Sequence, residues 1–174
     1  RLGDEISARQ ELGQEGLPDD GLQEPPLHLQ GRLETGSLTL SLLESAPLSV
    51  RLSVNGSHGP IGLNRGAPLD LRISLAGAAQ SDVFDFWLAV DSPWGLFCYD
   101  VQSGQWQPAT LDSAVPSYQG ATGSFTDFPV FTLPDMSGLS AGGYLFYFGI
   151  DTAVNGRLDM DRLYTDTVTA YVGD

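Results

Sequence analysis

The densest group of oxygen-bearing side chains is the run Asp151-Thr152-Ala153-Val154-Asn155-Gly156-Arg157-Leu158-Asp159-Met160-Asp161, with Asp166 beyond it. Hard cations such as calcium need several oxygen ligands around one point, and a glycine permits the sharp turn that gathers them. Set against the twelve-residue calcium loop, Asp151 takes the first position, Asn155 the fifth, Gly156 the sixth and Asp159 the ninth. Ala153 and Arg162 stand at the third and twelfth, so two ligands are missing, the bidentate carboxylate among them, and an EF-hand is not expected. A looser calcium site on a turn between two strands would use Asp151, Asn155, Asp159 and Asp161 with main-chain carbonyls. The competing expectation is a solvated turn whose Asx side chains bond their own backbone.

Aromatic residues offer a second chemistry. Trp94 and Trp106 sit in or beside turns, with Tyr99 and Tyr118 nearby, and exposed rings of this kind can stack on sugars. The alternative is that they pack the edge of a sheet and anchor loops, burying a large area with one polar tip to satisfy. Trp87, inside an apolar run, is expected in the core.

Catalytic groups are sparse. Two histidines, His28 and His58, no G-x-S-x-G elbow and no lysine leave a serine nucleophile without an evident base. Carboxylate pairs for glycoside hydrolysis have 22 acids to draw on, and nothing selects one pair. An enzyme is therefore not expected. Asn55-Gly56-Ser57 reads as a turn and is also a glycosylation sequon. Cys98 is the single cysteine, which removes any disulfide framework within the chain and leaves a buried structural thiol or an exposed thiol pairing between chains.

Charge narrows the partners. The 174 residues carry 22 acids and 8 bases, a formal net charge of −14, and every base is arginine. A cationic surface that neutralises phosphates cannot be assembled from these, so neither nucleic acid nor an anionic membrane is an expected partner. No apolar run is long enough for a membrane span, and the opening RLGDEISARQ does not read as a signal peptide. The absence of lysine beside many Gly, Ser, Thr and Asp residues leans toward an extracellular acidic β-protein, secreted or at a cell surface.

These groups have to be positioned by strands. Residues 1–26 hold seven acids against two arginines, lack aromatics and end in Pro25-Pro26, which describes a solvated acidic arm. From Leu27 the period becomes two: Leu27, Leu29 and Leu33, then Leu38, Leu40 and Leu42, form a hairpin in an extension over residues 27–46. Alternation recurs at Leu48–Val54, Ile61–Leu63 and Leu69–Leu75. Val83–Val90 is apolar on both faces apart from Asp85, as in a central strand. Leu96–Val101, Pro129–Leu133, Tyr144–Ile150 and Leu163–Val172 complete about nine strands, and residues 107–128 read as a long crossing loop. The expectation is an all-β fold, an antiparallel immunoglobulin-like sandwich over residues 47–174 with an extended N-terminal arm.

Two motifs carry a family resemblance. Tyr144-Leu145-Phe146-Tyr147-Phe148-Gly149-Ile150-Asp151 followed by Asn155-Gly156-Arg157-Leu158-Asp159-Met160-Asp161-Arg162-Leu163-Tyr164-Thr165-Asp166 resembles the closing motif of a domain that recurs in secreted multidomain proteins of proteobacteria. Trp87-Leu88-Ala89-Val90-Asp91-Ser92-Pro93-Trp94-Gly95 resembles that family's tryptophan-and-turn motif. The likeness covers roughly residues 47 to 172, and Ala153 departs from it where the family often has a polar residue. It implies an extracellular β-sandwich joined to other modules, with no known activity.

The expected function is accordingly a non-catalytic extracellular structural or interaction module. It would self-associate or bind another surface protein, as a fibre or filament subunit whose extension packs on a neighbouring subunit. The alternative is a carbohydrate-binding accessory domain of a secreted hydrolase, with Trp94 and Trp106 as its stacking platform.

Overall fold

The computed structural model describes residues 28–34, 37–43 and 46–173, the first two segments as backbone. The acidic arm proposed for residues 1–26 lies outside the described residues. The chain divides into two units, residues 1–44 and 45–174.

In the first unit, β1 (His28–Glu34) and β2 (Ser37–Leu43) pair antiparallel, as the leucine alternation predicts. The register sets Leu29 opposite Leu42, Gly31 opposite Leu40 and Leu33 opposite Leu38. Because side chains alternate with period two, these six positions share one face of the ribbon, while His28, Gln30, Arg32 and Glu34 fall on the other.

The second unit contains β3 (Ser49–Val54), β4 (Ile61–Asn64), β5 (Leu69–Ala76), β6 (Val83–Ser92), β7 (Gly95–Asp100) and β8 (Gln105–Pro108). These are followed by β9 (Tyr118–Ala121), β10 (Phe125–Leu133), β11 (Gly142–Asp151) and β12 (Leu163–Gly173). The described residues contain no α-helix, only a 3-10 turn at Met160–Arg162. None of their helices is long and apolar enough to cross a membrane.

Three strands form one sheet in the order β10-β5-β3. A second sheet runs β4-β12-β11-β6-β7-β8, with β9 also on β6. The pairs are antiparallel except β4 with β12, which is parallel at the sheet's edge.

Alternation decides which face each strand buries. Leu69, Leu71, Ile73 and Leu75 of β5 point inward, while Asp70, Arg72 and Ser74 do not. In the large sheet Phe84, Phe86, Leu88 and Val90 of β6 and Tyr144, Phe146, Phe148 and Ile150 of β11 supply the same core. Each buried side chain of this size contributes roughly 1.5–3 kcal/mol of transfer free energy. Trp87 is buried as expected, at 6% exposure, on the face of β6 opposite Phe86 and Leu88.

The 107–128 stretch is not one loop. β9 lies within it, and β10 begins at Phe125 rather than Pro129. The short Tyr118–Ala121 run has only one large apolar side chain, so its alternation is invisible in the sequence. It is recruited by the free edge of β6, to which it pairs from Val83 to Phe86. Between β9 and β7, the Ser117 hydroxyl bridges the backbone of Leu88, 2.9 Å from its nitrogen and 3.3 Å from its oxygen, and so closes the gap along β6.

Sheet edges are blunted in several ways. Pro60 precedes β4, Pro108 ends β8 and Pro129 interrupts β10, whose pairing also shifts register twice. On β3 the Leu52 N–H donates to Asp166 Oδ2 at 2.8 Å, and the Leu52 carbonyl lies 2.8 Å from His58 Nδ1. The turn after β3 has positive φ at both Asn55 and Gly56, as a tight hairpin turn requires. Asn55 Nδ2 donates to Pro68 O and Asn55 Oδ1 accepts from Asp70 N, so the sequon amide is tied into the start of β5.

Candidate functional site

Two places gather the residues with chemical potential. The first is the turn between β11 and β12. Asp151 at the end of β11 is fully buried and accepts from Ala153 N at 2.7 Å through Oδ1 and from Asp159 N at 2.8 Å through Oδ2. Asn155 Oδ1 accepts from Arg157 N, and its Nδ2 donates to Asp159 Oδ2 at 2.7 Å. The structure thus brings Asp151, Asn155 and Asp159 together and leaves Asp161 exposed on the 3-10 turn.

The residue that sequence reasoning passed over is Asp85. It pairs in register with Asp151 across β6 and β11 and is likewise fully buried. Its Oδ2 accepts from Asn155 N at 3.1 Å and Gly156 N at 2.7 Å, and its Oδ1 accepts from Gln119 Nε2 at 2.7 Å. A buried carboxylate is tolerated only when its oxygens are met by donors, and here the two carboxylates together meet five. Four of the five are backbone amides of the turn, so its shape is set by main-chain hydrogen bonds. The signal was available: a lone aspartate in an otherwise apolar central strand must find partners somewhere.

The Asx-turn expectation therefore describes Asp151 and Asn155 directly. Among the described residues no group of three or more His, Cys, Asp or Glu side chains is arranged to hold a metal ion.

The second place is aromatic. Trp94, 56% exposed, rides the turn from β6 to β7, where its N–H donates to Ser92 Oγ and that hydroxyl donates to Gly95 O at 2.9 Å. Its ring stands edge-on to Tyr144 at 6.4 Å. Trp106 on β8 is half-buried, 5.1 Å from Tyr99 and 5.5 Å from Phe131, and it meets Phe146 at 6.4 Å. Both tryptophans line a single cleft of about 280 Å³, together with Phe97, Phe131 and Tyr144. The sequence singled out each ring; the fold makes them neighbours. The cleft's two hydroxyls are already engaged, Ser92 with Gly95 and Tyr144 with Ser140 O at 2.9 Å. Burial pushes the Tyr144 phenol up, so it stays a neutral donor.

The other candidates are structural. Ser57 Oγ donates to Gly59 O and His58 faces the Leu52 carbonyl, so these neighbours do not form a nucleophile and base pair. Cys98 is 7% exposed and burial pushes its thiol up, away from the reactive thiolate and from pairing between chains.

No family model matches the chain. It is similar to a protein named Endochitinase 1 from Solanum tuberosum, 29% identical over 129 residues. The match takes in 72% of this chain and 36% of that protein, so the chain spans little more than a third of its relative's length.

Proposed function

We propose that the chain is a non-catalytic interaction module of a longer secreted or cell-surface protein. Its body is an immunoglobulin-like sandwich, and its N-terminal extension packs on a neighbouring subunit. The observation that carries this reading is the β1–β2 ribbon, which gathers five leucines and a glycine on one face. A two-stranded hairpin is marginal in water alone, and an apolar face of this kind needs a cover. The simplest cover is the same face of a second copy, a self-complementary contact. Three sheet edges of the body meet prolines and β3 is capped at Leu52, so a fibre or filament of such subunits would grow through the extension.

Light scattering of the full chain across micromolar concentrations tests this. The expected result is a concentration-dependent oligomer that Leu40→Asp reduces to monomer, while Thr39→Asp on the polar face leaves it intact. A full chain that stays monomeric throughout overturns the reading.

A carbohydrate-binding accessory role is favoured by a separate observation, the convergence of Trp94 and Trp106 on one cleft, and by the name of the potato relative. The exposed ring of Trp94 would carry the stacking. Retention on insoluble chitin is then expected, and Trp94→Ala should weaken it by about ten-fold. The substitution is at an exposed position, so folding is preserved. No retention by the unmutated chain removes this role.

Calcium belongs to the same set of proposals. An ion at the β11–β12 turn would draw on Asp151, Asn155, Asp159, Asp161 and main-chain carbonyls. It would compete with the bond between Asn155 and Asp159.

A further inference from the structure

The larger cleft of the body shares none of the residues lining the Trp94–Trp106 cleft. Strand β10 divides the two: Val130 faces the larger, Phe131 the smaller. We propose that the larger cleft binds one uncharged, apolar small molecule of roughly eighteen non-hydrogen atoms.

Size, wall chemistry and rim lead to that class. The cleft has a volume of about 440 Å³, far above the few water-sized voids of a well-packed interior. An apolar cavity of about 150 Å³ accepts benzene, so this one suits a molecule about three times larger. Its walls include Phe86, Tyr118, Phe125, Phe128 and Phe148. Phe86 and Tyr118 stand 5.6 Å apart at 58°, and Phe125 and Phe128 stand 5.8 Å apart at 62°, so the walls present both ring faces and ring edges.

No charged side chain lines the cleft. Two of its three hydroxyls are already used, since Ser117 bridges the Leu88 backbone and Thr122 Oγ1 donates to Gly123 O at 3.2 Å; the third is the phenol of Tyr118, a rim residue 46% exposed. An ionised ligand would lose its hydration without gaining an opposite charge, and water filling the cleft would find few hydrogen bonds. The rim is apolar as well, since Val101, Tyr118 and Phe128 are 49%, 46% and 55% exposed. Large side chains left open around an apolar hollow are characteristic of ligand-binding sites.

Two fluorescent probes that differ by one charge test the proposal on the full chain. N-phenyl-1-naphthylamine is neutral and has about seventeen non-hydrogen atoms, close to the size expected. 1-Anilinonaphthalene-8-sulfonate has the same ring skeleton and carries a sulfonate. The expected result is a saturable fluorescence rise with one neutral probe per chain, and at least about ten-fold weaker binding of the anionic probe. Phe128→Asp, at an exposed rim position, should weaken the neutral probe by at least about ten-fold, while Tyr171→Asp, at an exposed position of β12 outside the cleft lining, should leave it unchanged.

The proposal is overturned by any of four results. These are no saturable rise, as when the chain's own residues fill the cleft; equal affinity for both probes; indifference to Phe128→Asp; or neutral-probe affinity that falls as protein concentration increases, which would give the cleft to a second copy.

Discussion

Asp85→Ala is expected to destabilise the body by about 3 kcal/mol and to release the turn between β11 and β12. The substitution removes the acceptor for three donors at once: Asn155 N, Gly156 N and Gln119 Nε2. Gln119 is exposed and can turn to water, but the two amides lose a charge-assisted partner at a fully buried position. Asp85→Asn should cost far less, about 1 kcal/mol, because an Asn oxygen can still face the two amides while the Gln119 amide flips to meet the new NH₂. Urea unfolding gives both energies, and amide exchange at Asn155 and Gly156 reports whether the turn itself has opened. Equal losses from the two variants would show that the charge, and not the acceptor geometry, holds the turn. The same melts with calcium and with chelator test the ion. A site loaded at a hundred times its dissociation constant adds about 2.7 kcal/mol. An unchanged midpoint removes calcium from the account.

Gly77→Ala is expected to cost about 2–4 kcal/mol, with a fall in melting midpoint of about 10 °C. Gly77 follows β5 with φ of +79°, a conformation that L side chains rarely adopt. A Cβ there would also overlap the backbone carbonyls of Ala46 and Pro47, lying 2.7 Å from the carbonyl carbon of Pro47. Backbone cannot swing aside as a side chain does, so the segment entering β3 would have to shift. Gly66→Ala, with open space around it, is the matched control and should stay within about 0.5 kcal/mol. If both glycines tolerate alanine equally, the close approach at Gly77 does not constrain the chain.

Much of this architecture was legible in alternation. The hairpin at residues 28–43, the inward leucines of β5 and the central position of β6 all follow from a period of two on elements with one or two buried faces. β9 was not legible, since four residues with one large apolar side chain carry no pattern, and what fixes them is the edge of β6. The parallel pairing of β4 with β12 was hidden for the same reason: a partner more than 100 residues away leaves no local mark.

At the site, residue type was readable and association was not. Asp151, Asn155 and Asp159 stood out as neighbours in sequence, and they are neighbours in space. Asp85 contributes across a register pair that sequence distance conceals, and Trp94 meets Trp106 in one cleft only because β7 and β8 fold back beside β6.

The way Asp85 and Asp151 grip the β11–β12 turn separates shape from spelling. They hold amide nitrogens, which nearly every residue possesses, so Thr152, Val154, Arg157 and Asp161, all exposed, can be exchanged while the loop path is kept. A scaffold of that kind can diversify its surface without renegotiating its fold. It lends the turn the character of a display loop, where new recognition can arise by substitution at constant geometry.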